Sequence, residues 1–253
     1  MRASTIRSKT KKVLSGAAVL FFWILIWETV SIIIGNELIF SSPVSTLHTL
    51  VLLFCDAGFW LICLSSFLRI LIGFAIGVFL GTLTAVFSEN KIFCSLFSPA
   101  VAVIRCVPVA SFIILAWYFL PRERVPVFTV FLIVMPIMWI NVKKGIESVS
   151  EDLREVAQVY GFSFIKRMKL LYIPSVKSYF AAGLTASLGL AWKSGIAAEV
   201  LCRPDKSIGN EIFLSKSYLE TPMLFAWTSV VVIFSIILEK ILSHLVGDKN
   251  ERT

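Results

Sequence analysis

Six stretches of this chain are apolar over lengths that match a bilayer: 13–34, 67–87, 99–120, 125–142, 179–202 and 222–246. An α-helix needs about 20 such residues to cross the hydrocarbon core. Helices are the natural form for these runs, because lipid offers no hydrogen-bond partner to an open strand. An outer-membrane barrel would instead alternate polar and apolar residues in strands of roughly ten, a pattern this chain lacks. With 57% hydrophobic and only 16% charged residues, it falls below the roughly one-quarter charged content of soluble domains. The sixth run carries Glu239 and Lys240 near its end, so its apolar part stops around Leu238. The expected fold is all-α: a polytopic protein with six transmembrane helices.

Before the first run stand Arg2, Arg7, Lys9, Lys11 and Lys12. A signal peptide has a similar basic start, but this apolar run is too long and no small-x-small cleavage site follows. It reads as a retained first span behind a basic segment, 1–12. Lys and Arg gather in cytoplasmic loops. With a cytoplasmic N-terminus, the inside segments hold 16 of the 24 Lys and Arg residues and the outside segments 5. The asymmetry predicts both termini inside, with a short tail at 247–253. The net charge of +8 is thus a topology signal, not a nucleic-acid footprint. Cys55, Cys63, Cys94, Cys106 and Cys202 are scattered without metal-ligand spacing and read as packing residues.

The longest cytoplasmic connection, 143–177, is too patterned for a linker. Leu153, Val156, Ala157 and Tyr160 recur at the spacing of one helix face. Glu151, Asp152, Glu155 and Gln158 occupy its other sides. Ser148 followed by Glu151 reads as a capping box, starting a helix near Val149. Gly161 then ends it, since glycine takes the left-handed conformation easily. A second short pattern sets Ile165, Met168 and Tyr172 on one face, with Lys166, Arg167 and Lys169 around it. Pro174 is expected to close it. Three fates are open to this pair: lying on lipid headgroups, packing on the protein's own spans, or docking a soluble partner by helix-in-groove recognition.

Glu155-Val156-Ala157-x3-Gly161, then Leu171-Tyr172-Ile173-Pro174, resembles the cytoplasmic EAA signature of permease subunits in binding-protein-dependent ABC importers. The spacings from Glu155 to Gly161 to Pro174 fit; Val156 replaces an alanine, and Leu171 and Ile173 exchange two aliphatics. The likeness covers nearly the whole chain. Trp27-Glu28, Ser66-x2-Arg69-x3-Gly73-x3-Gly77-x3-Gly81 and Trp192-Lys193-x5-Glu199 are similar to the nitrate, sulfonate and taurine group of these permeases. The resemblance implies a first helix on a five-helix core, used as a dimer. It implies that 148–174 is a coupling segment docking into an ATPase subunit through Glu155, Val156, Ala157, Tyr160, Gly161 and Pro174. It further implies an outer solute-binding protein, free or lipid-anchored, that meets loops 35–60 and 202–221. The chain itself would bind no cofactor, leaving ATP and Mg to the partner.

Charges inside spans are costly, about 2.5–3.5 kcal/mol each on insertion scales. Glu28, Arg69 and Glu199 are expected near the outer ends, where snorkelling relieves the cost. Arg105 is expected near the cytoplasmic end. Lys193 falls near the middle of the fifth span, either with an internal partner or facing a transport path. With Arg105 it is a candidate for that path, and the best counter-charge for an anionic cargo. Arg69, Gly73, Gly77 and Gly81 form an i, i+4 series that permits close helix approach or borders the path. Pro99 is expected in a first turn and Pro108 at a kink, with a discontinuous helix as the alternative.

No phosphate-loop pattern occurs, so the chain is not itself the ATPase. His48 and His244 lack ligand partners at metal-site spacing, and no nucleophile-base set is evident; Ser65 and Ser187 read as helix-packing hydroxyls. The expected function is therefore a permease subunit rather than an enzyme. Its rivals are an ion-gradient-driven transporter, which should show an inverted repeat, a membrane-embedded enzyme, and a scaffolding membrane protein.

Overall fold

The computed structural model describes residues 2–247, with side chains over 18–163 and 165–244. The expected tail beyond Gly247 and the basic side chains of 1–12 lie outside these. No strand occurs among the described residues. The helices run α1 (Arg2–Ile34), α2 (Pro43–Cys55), α3 (Ala57–Phe87), α4 (Lys91–Cys106), α5 (Val109–Phe119), α6 (Val125–Glu147), α7 (Glu151–Val159), α8 (Phe164–Arg167), α9 (Ile173–Cys202), α10 (Ile208–Ser217) and α11 (Thr221–Gly247), with a π-helical turn at Met168–Tyr172 before α9.

Three of these helices, α3, α6 and α11, are long and apolar enough to cross a membrane, and the α4–α5 pair makes a fourth if counted as one bent span. The described apolar part of α1, Ala18–Ile34, is shorter. Helix α9 has 30 residues, but glycines, serines, Lys193 and Glu199 dilute its apolarity. It packs most extensively against α6, so protein rather than lipid meets much of its surface.

The chain divides into two compact units, Met1–Trp60 with Glu211–Val230, and Leu61–Asn210 with Val231–Thr253. In the first, aromatic packing dominates. Trp27 stacks on Phe225 at 5.8 Å between ring centres, and Phe59 lies 5.2 Å from Trp227. The Trp27 indole donates to the Ser41 carbonyl at 2.9 Å, giving this amphipathic ring its polar partner. Helix α2 starts behind Ser42, whose hydroxyl accepts from the Ser45 amide, with Pro43 in the first turn where its missing N–H costs nothing. The sequence reading treats 35–60 and 202–221 as loops; α2 and α10 correct it. Both helices are shorter than a span, so a search for membrane-length runs passes over them.

In the second unit, α3, α6 and α9 form the core. The glycine stripe of α3 lies on α6. A Cβ at Gly77 would stand 2.7 Å from the Val134 Cβ, and one at Gly81 2.8 Å from the Met138 Cβ. At Gly73 it would overlap the Val127 carbonyl oxygen. Gly145 and Gly183 make similarly close approaches between α6 and α9. Small residues let backbones approach where lipid supplies no hydrophobic drive between helices. The stripe therefore serves packing within the chain. Ser65 and Ser187 bond the Leu61 and Gly183 carbonyls of their own helices at 2.8 and 2.7 Å.

The third apolar run is not one helix. Pro99 lies inside α4, not in its first turn, and α4 and α5 meet at Val107–Pro108 with a bend of 103°. Proline disfavours helical backbone in the residue before it. Val107 is extended, and Pro108 caps α5.

Candidate functional site

The bend at Val107 shapes a cavity of about 590 Å³ among α4, α5, α6 and α9. Arg105, in the last turn of α4, and Lys193, about two thirds of the way along α9, both line it. Lys193 shares its side of α9 with Leu190 and Ala197, while Trp192, Ile196 and Glu199 are buried in the core. Neither cation makes a hydrogen bond or ion pair among the described residues, and both are exposed to the cavity. The remaining wall is mostly apolar, including Phe112, Leu132, Ile133 and Pro136. Pro136 has no N–H, so the Leu132 carbonyl loses its helical partner beside the cavity. Two unpaired cations in an apolar surround attract an anion, since the low dielectric strengthens the attraction.

Glu199 behaves otherwise than its expected snorkelling. It is wholly buried and pairs with Arg69 at 3.2 Å. The Ser66 hydroxyl and the Gly209 amide donate to its second oxygen at 2.7 and 3.3 Å. Arg69 also donates to the carbonyls of Asp205 and Lys206 at 2.7 and 3.3 Å. The Ile208 amide donates to the Ser66 hydroxyl at 2.9 Å. A buried carboxylate persists only when such partners satisfy it. The cluster ties the chain between α9 and α10 to α3. Ser66-x2-Arg69 and Glu199 are visible in the sequence, but no periodicity announces that they meet.

Segment 148–174 folds as α7, a turn, α8 and the π-helical turn. Ser148 does not open the first helix. It ends α6, its hydroxyl donating to the Gly145 carbonyl at 2.7 Å, and α7 begins after Ser150. Of the expected apolar face only Ala157 is buried; Leu153, Val156 and Tyr160 are exposed, as are Glu155 and Val159. Gly161 has φ +61°. Around it the Phe162 amide donates to the Ala157 carbonyl at 2.9 Å and the Gly161 amide to Gln158 at 3.0 Å. This paired closure is the Schellman motif. A Cβ at Gly161 would meet nothing within 4 Å. The helix thus offers an unpartnered apolar edge ending in an open turn.

In the second half, Ile165 is exposed while Tyr172 is buried, so the expected common face splits. The Tyr172 hydroxyl donates to Glu89 at 2.5 Å, with Arg167 4.0 Å from the same oxygen. Burial, and after it the Glu89 carboxylate, raises the Tyr172 pKa above the ordinary tyrosine value. Pro174 does not close the segment. It sits in the first turn of α9, where a missing N–H is tolerated.

Residues 77–249 match the family described as binding-protein-dependent transport system inner membrane component. The nitrate import permease NrtB of Synechococcus elongatus is 29% identical over 217 residues, 81% of this chain and 77% of that protein. The bicarbonate transport permease CmpB of the same species is 25% identical over 61% of this chain and 56% of its own length. Among solved structures, a bacterial alginate ABC transporter matches with a TM-score of 0.60 at 16% identity, covering 98% of this chain and 99% of that one. An amino acid ABC transporter matches with the same TM-score at 17% identity, covering 74% and 90%. The chain belongs to the family of inner-membrane components of binding-protein-dependent transport systems: it is a multi-pass inner-membrane permease subunit of an ABC importer.

Proposed function

We propose that this subunit, as a homodimer, forms the path for a small anionic solute handed over by a solute-binding protein. The single observation that carries the reading is the pair of unpartnered cations, Arg105 and Lys193, on one largely apolar cavity. That relatives are nitrate and bicarbonate permeases supports an anion. The exposed edge of α7 supports docking to an ATPase, with Glu155, Val156, Ala157, Tyr160 and Gly161 at the contact and Pro174 setting the start of α9. One such segment per chain suits a two-fold assembly with two ATPase subunits, which bind the ATP and Mg. ATP-driven closure of those subunits would carry the coupling segments together and shift the spans as rigid bodies.

The test is uptake of labelled nitrate into proteoliposomes holding the permease, its co-purified ATPase and the binding protein. ATP-dependent uptake is expected, with Lys193→Gln and Lys193→Met each lowering it roughly tenfold, the loss of one charged contact. Normal uptake and unchanged affinity in both variants would remove Lys193 from the path. Uptake driven by an ion gradient without the ATPase would return the chain to the secondary-transporter reading.

A further inference from the structure

A second cavity, of about 410 Å³, lies between the N-terminal end of α4, the C-terminal end of α6 and α7. Lys91, Lys143 and Arg154 line it, together with the hydroxyls of Ser88, Ser95 and Ser98. Two carboxylates also border it, and both are engaged: Glu89 accepts from Tyr172 and faces Arg167, while Glu147 pairs with Lys143 at 3.6 Å. The cations are less satisfied. Lys91 is exposed and makes no hydrogen bond or ion pair among the described residues. Arg154 donates one Nη to the Ile146 carbonyl at 2.8 Å, but its Nε is buried without a partner. A buried charged donor left unmade is costly. The hydroxyls of Ser95 and Ser98, a turn apart on α4, also have no hydrogen-bond partner among the described residues. The first turn of this 16-residue helix, where the Asn90 side chain already accepts from the Ile92 amide, adds the positive end of the helix dipole to the same corner.

We infer that this cavity binds a phosphate group, held by Lys91 and Arg154, with the α4 serines donating to its oxygens. An arginine with a free Nε beside a lysine and hydroxyls suits a tetrahedral oxyanion, which accepts from several directions at once. The group could belong to a soluble phosphate compound or to an anionic lipid headgroup; the chemistry of recognition is shared. A bound phosphate would link the α4 end to α7. Its effect on transport rests on the coupling reading of 148–174, whereas its binding does not.

The experiment places the full chain in nanodiscs of phosphatidylcholine and follows thermal unfolding while inorganic phosphate is titrated at constant ionic strength. A second arm replaces part of the lipid with phosphatidylglycerol and omits phosphate. A ligand that binds only the folded state raises the Tm in a saturable way. We expect such a rise in at least one arm, the arm identifying the source. Half-saturation should shift roughly tenfold in Lys91→Gln and in Arg154→Gln, as expected for a lost charged hydrogen bond. Lys91→Gln removes no internal partner, so it keeps the test valid if Arg154→Gln folds poorly. No saturable rise in either arm, or an unshifted response in Lys91→Gln, would overturn the site. The readout is unfolding rather than uptake, so a failure here is distinct from a failure of the anion path.

Discussion

Arg69 and Glu199, 130 positions apart in the chain, meet at 3.2 Å with the glutamate wholly buried. Removing one partner of such a pair leaves a buried charge unmatched, at about 3–5 kcal/mol. Replacing both by apolar residues of similar size removes the burial cost together with the attraction. Arg69→Met should therefore lower the Tm more than Arg69→Met combined with Glu199→Met, measured on detergent-purified protein. Equal losses would mean that the ion pair has no special standing in the cluster with Ser66 and Gly209.

Gly77 and Gly161 should answer alanine differently. At Gly77 the new methyl would stand 2.7 Å from the Val134 Cβ, and overpacking of that kind costs about 1–3 kcal/mol. Gly77→Ala should lower thermal stability and membrane yield. At Gly161 there is open space, and only the left-handed backbone at φ +61° resists, at about 1–2 kcal/mol. Gly161→Asn, which tolerates that conformation, should restore what Gly161→Ala loses.

Gly161→Glu should insert and fold, because nothing among the described residues beyond its chain neighbours lies within 4 Å of the added Cβ. It should nevertheless uncouple uptake from ATP hydrolysis if the α7 turn meets the ATPase. The check is the ratio of solute transported to ATP consumed in the reconstituted complex. An unchanged ratio would count against docking at this turn.

Glu211 supplies a pH dependence. Its half-buried position raises its carboxyl pKa above 4.5. The folded state then holds the proton more tightly than the unfolded chain, so stability is greatest below the unfolded value and declines as pH rises through the raised folded pKa. Glu211→Gln should be more stable than the parent at pH 7 and should flatten the Tm–pH curve between 7 and the carboxylate range. A curve that kept its slope would assign the dependence to another group.

Much of this protein was legible in one dimension, because the relevant physics is local. Membrane-length apolar runs follow from the absence of water partners in lipid, and they located α3, α6 and α11 before any fold was known. The stop at Gly161 was legible because only glycine takes a positive φ cheaply. The boundaries were less so. Ser148-x2-Glu151 has the spacing of a capping box, yet the carbonyls ending α6 captured Ser148 first. Pro174 looked like a terminator, but its missing N–H is equally at home in the first turn of a new helix.

The sequence by itself determined that the chain lives in a membrane and that 148–174 carries an amphipathic helix with a glycine stop. Each of those depends on neighbours within a few turns. Only the tertiary structure decided which charges are satisfied. Glu28, Arg69, Arg105, Lys193 and Glu199 look alike in a hydropathy plot. Their energies depend on what lies across the helix interface, and that is set by the packing of α3, α6 and α9. The glycines of α3 draw it against α6, and Glu199 finds Arg69, Ser66 and the Gly209 amide. The 103° break at Val107–Pro108 brings Arg105 to the cavity that Lys193 also lines, with no partner for either among the described residues. Desolvation and pairing are properties of three-dimensional neighbours, so the same residue type is a structural clamp in one place and an open positive charge in another.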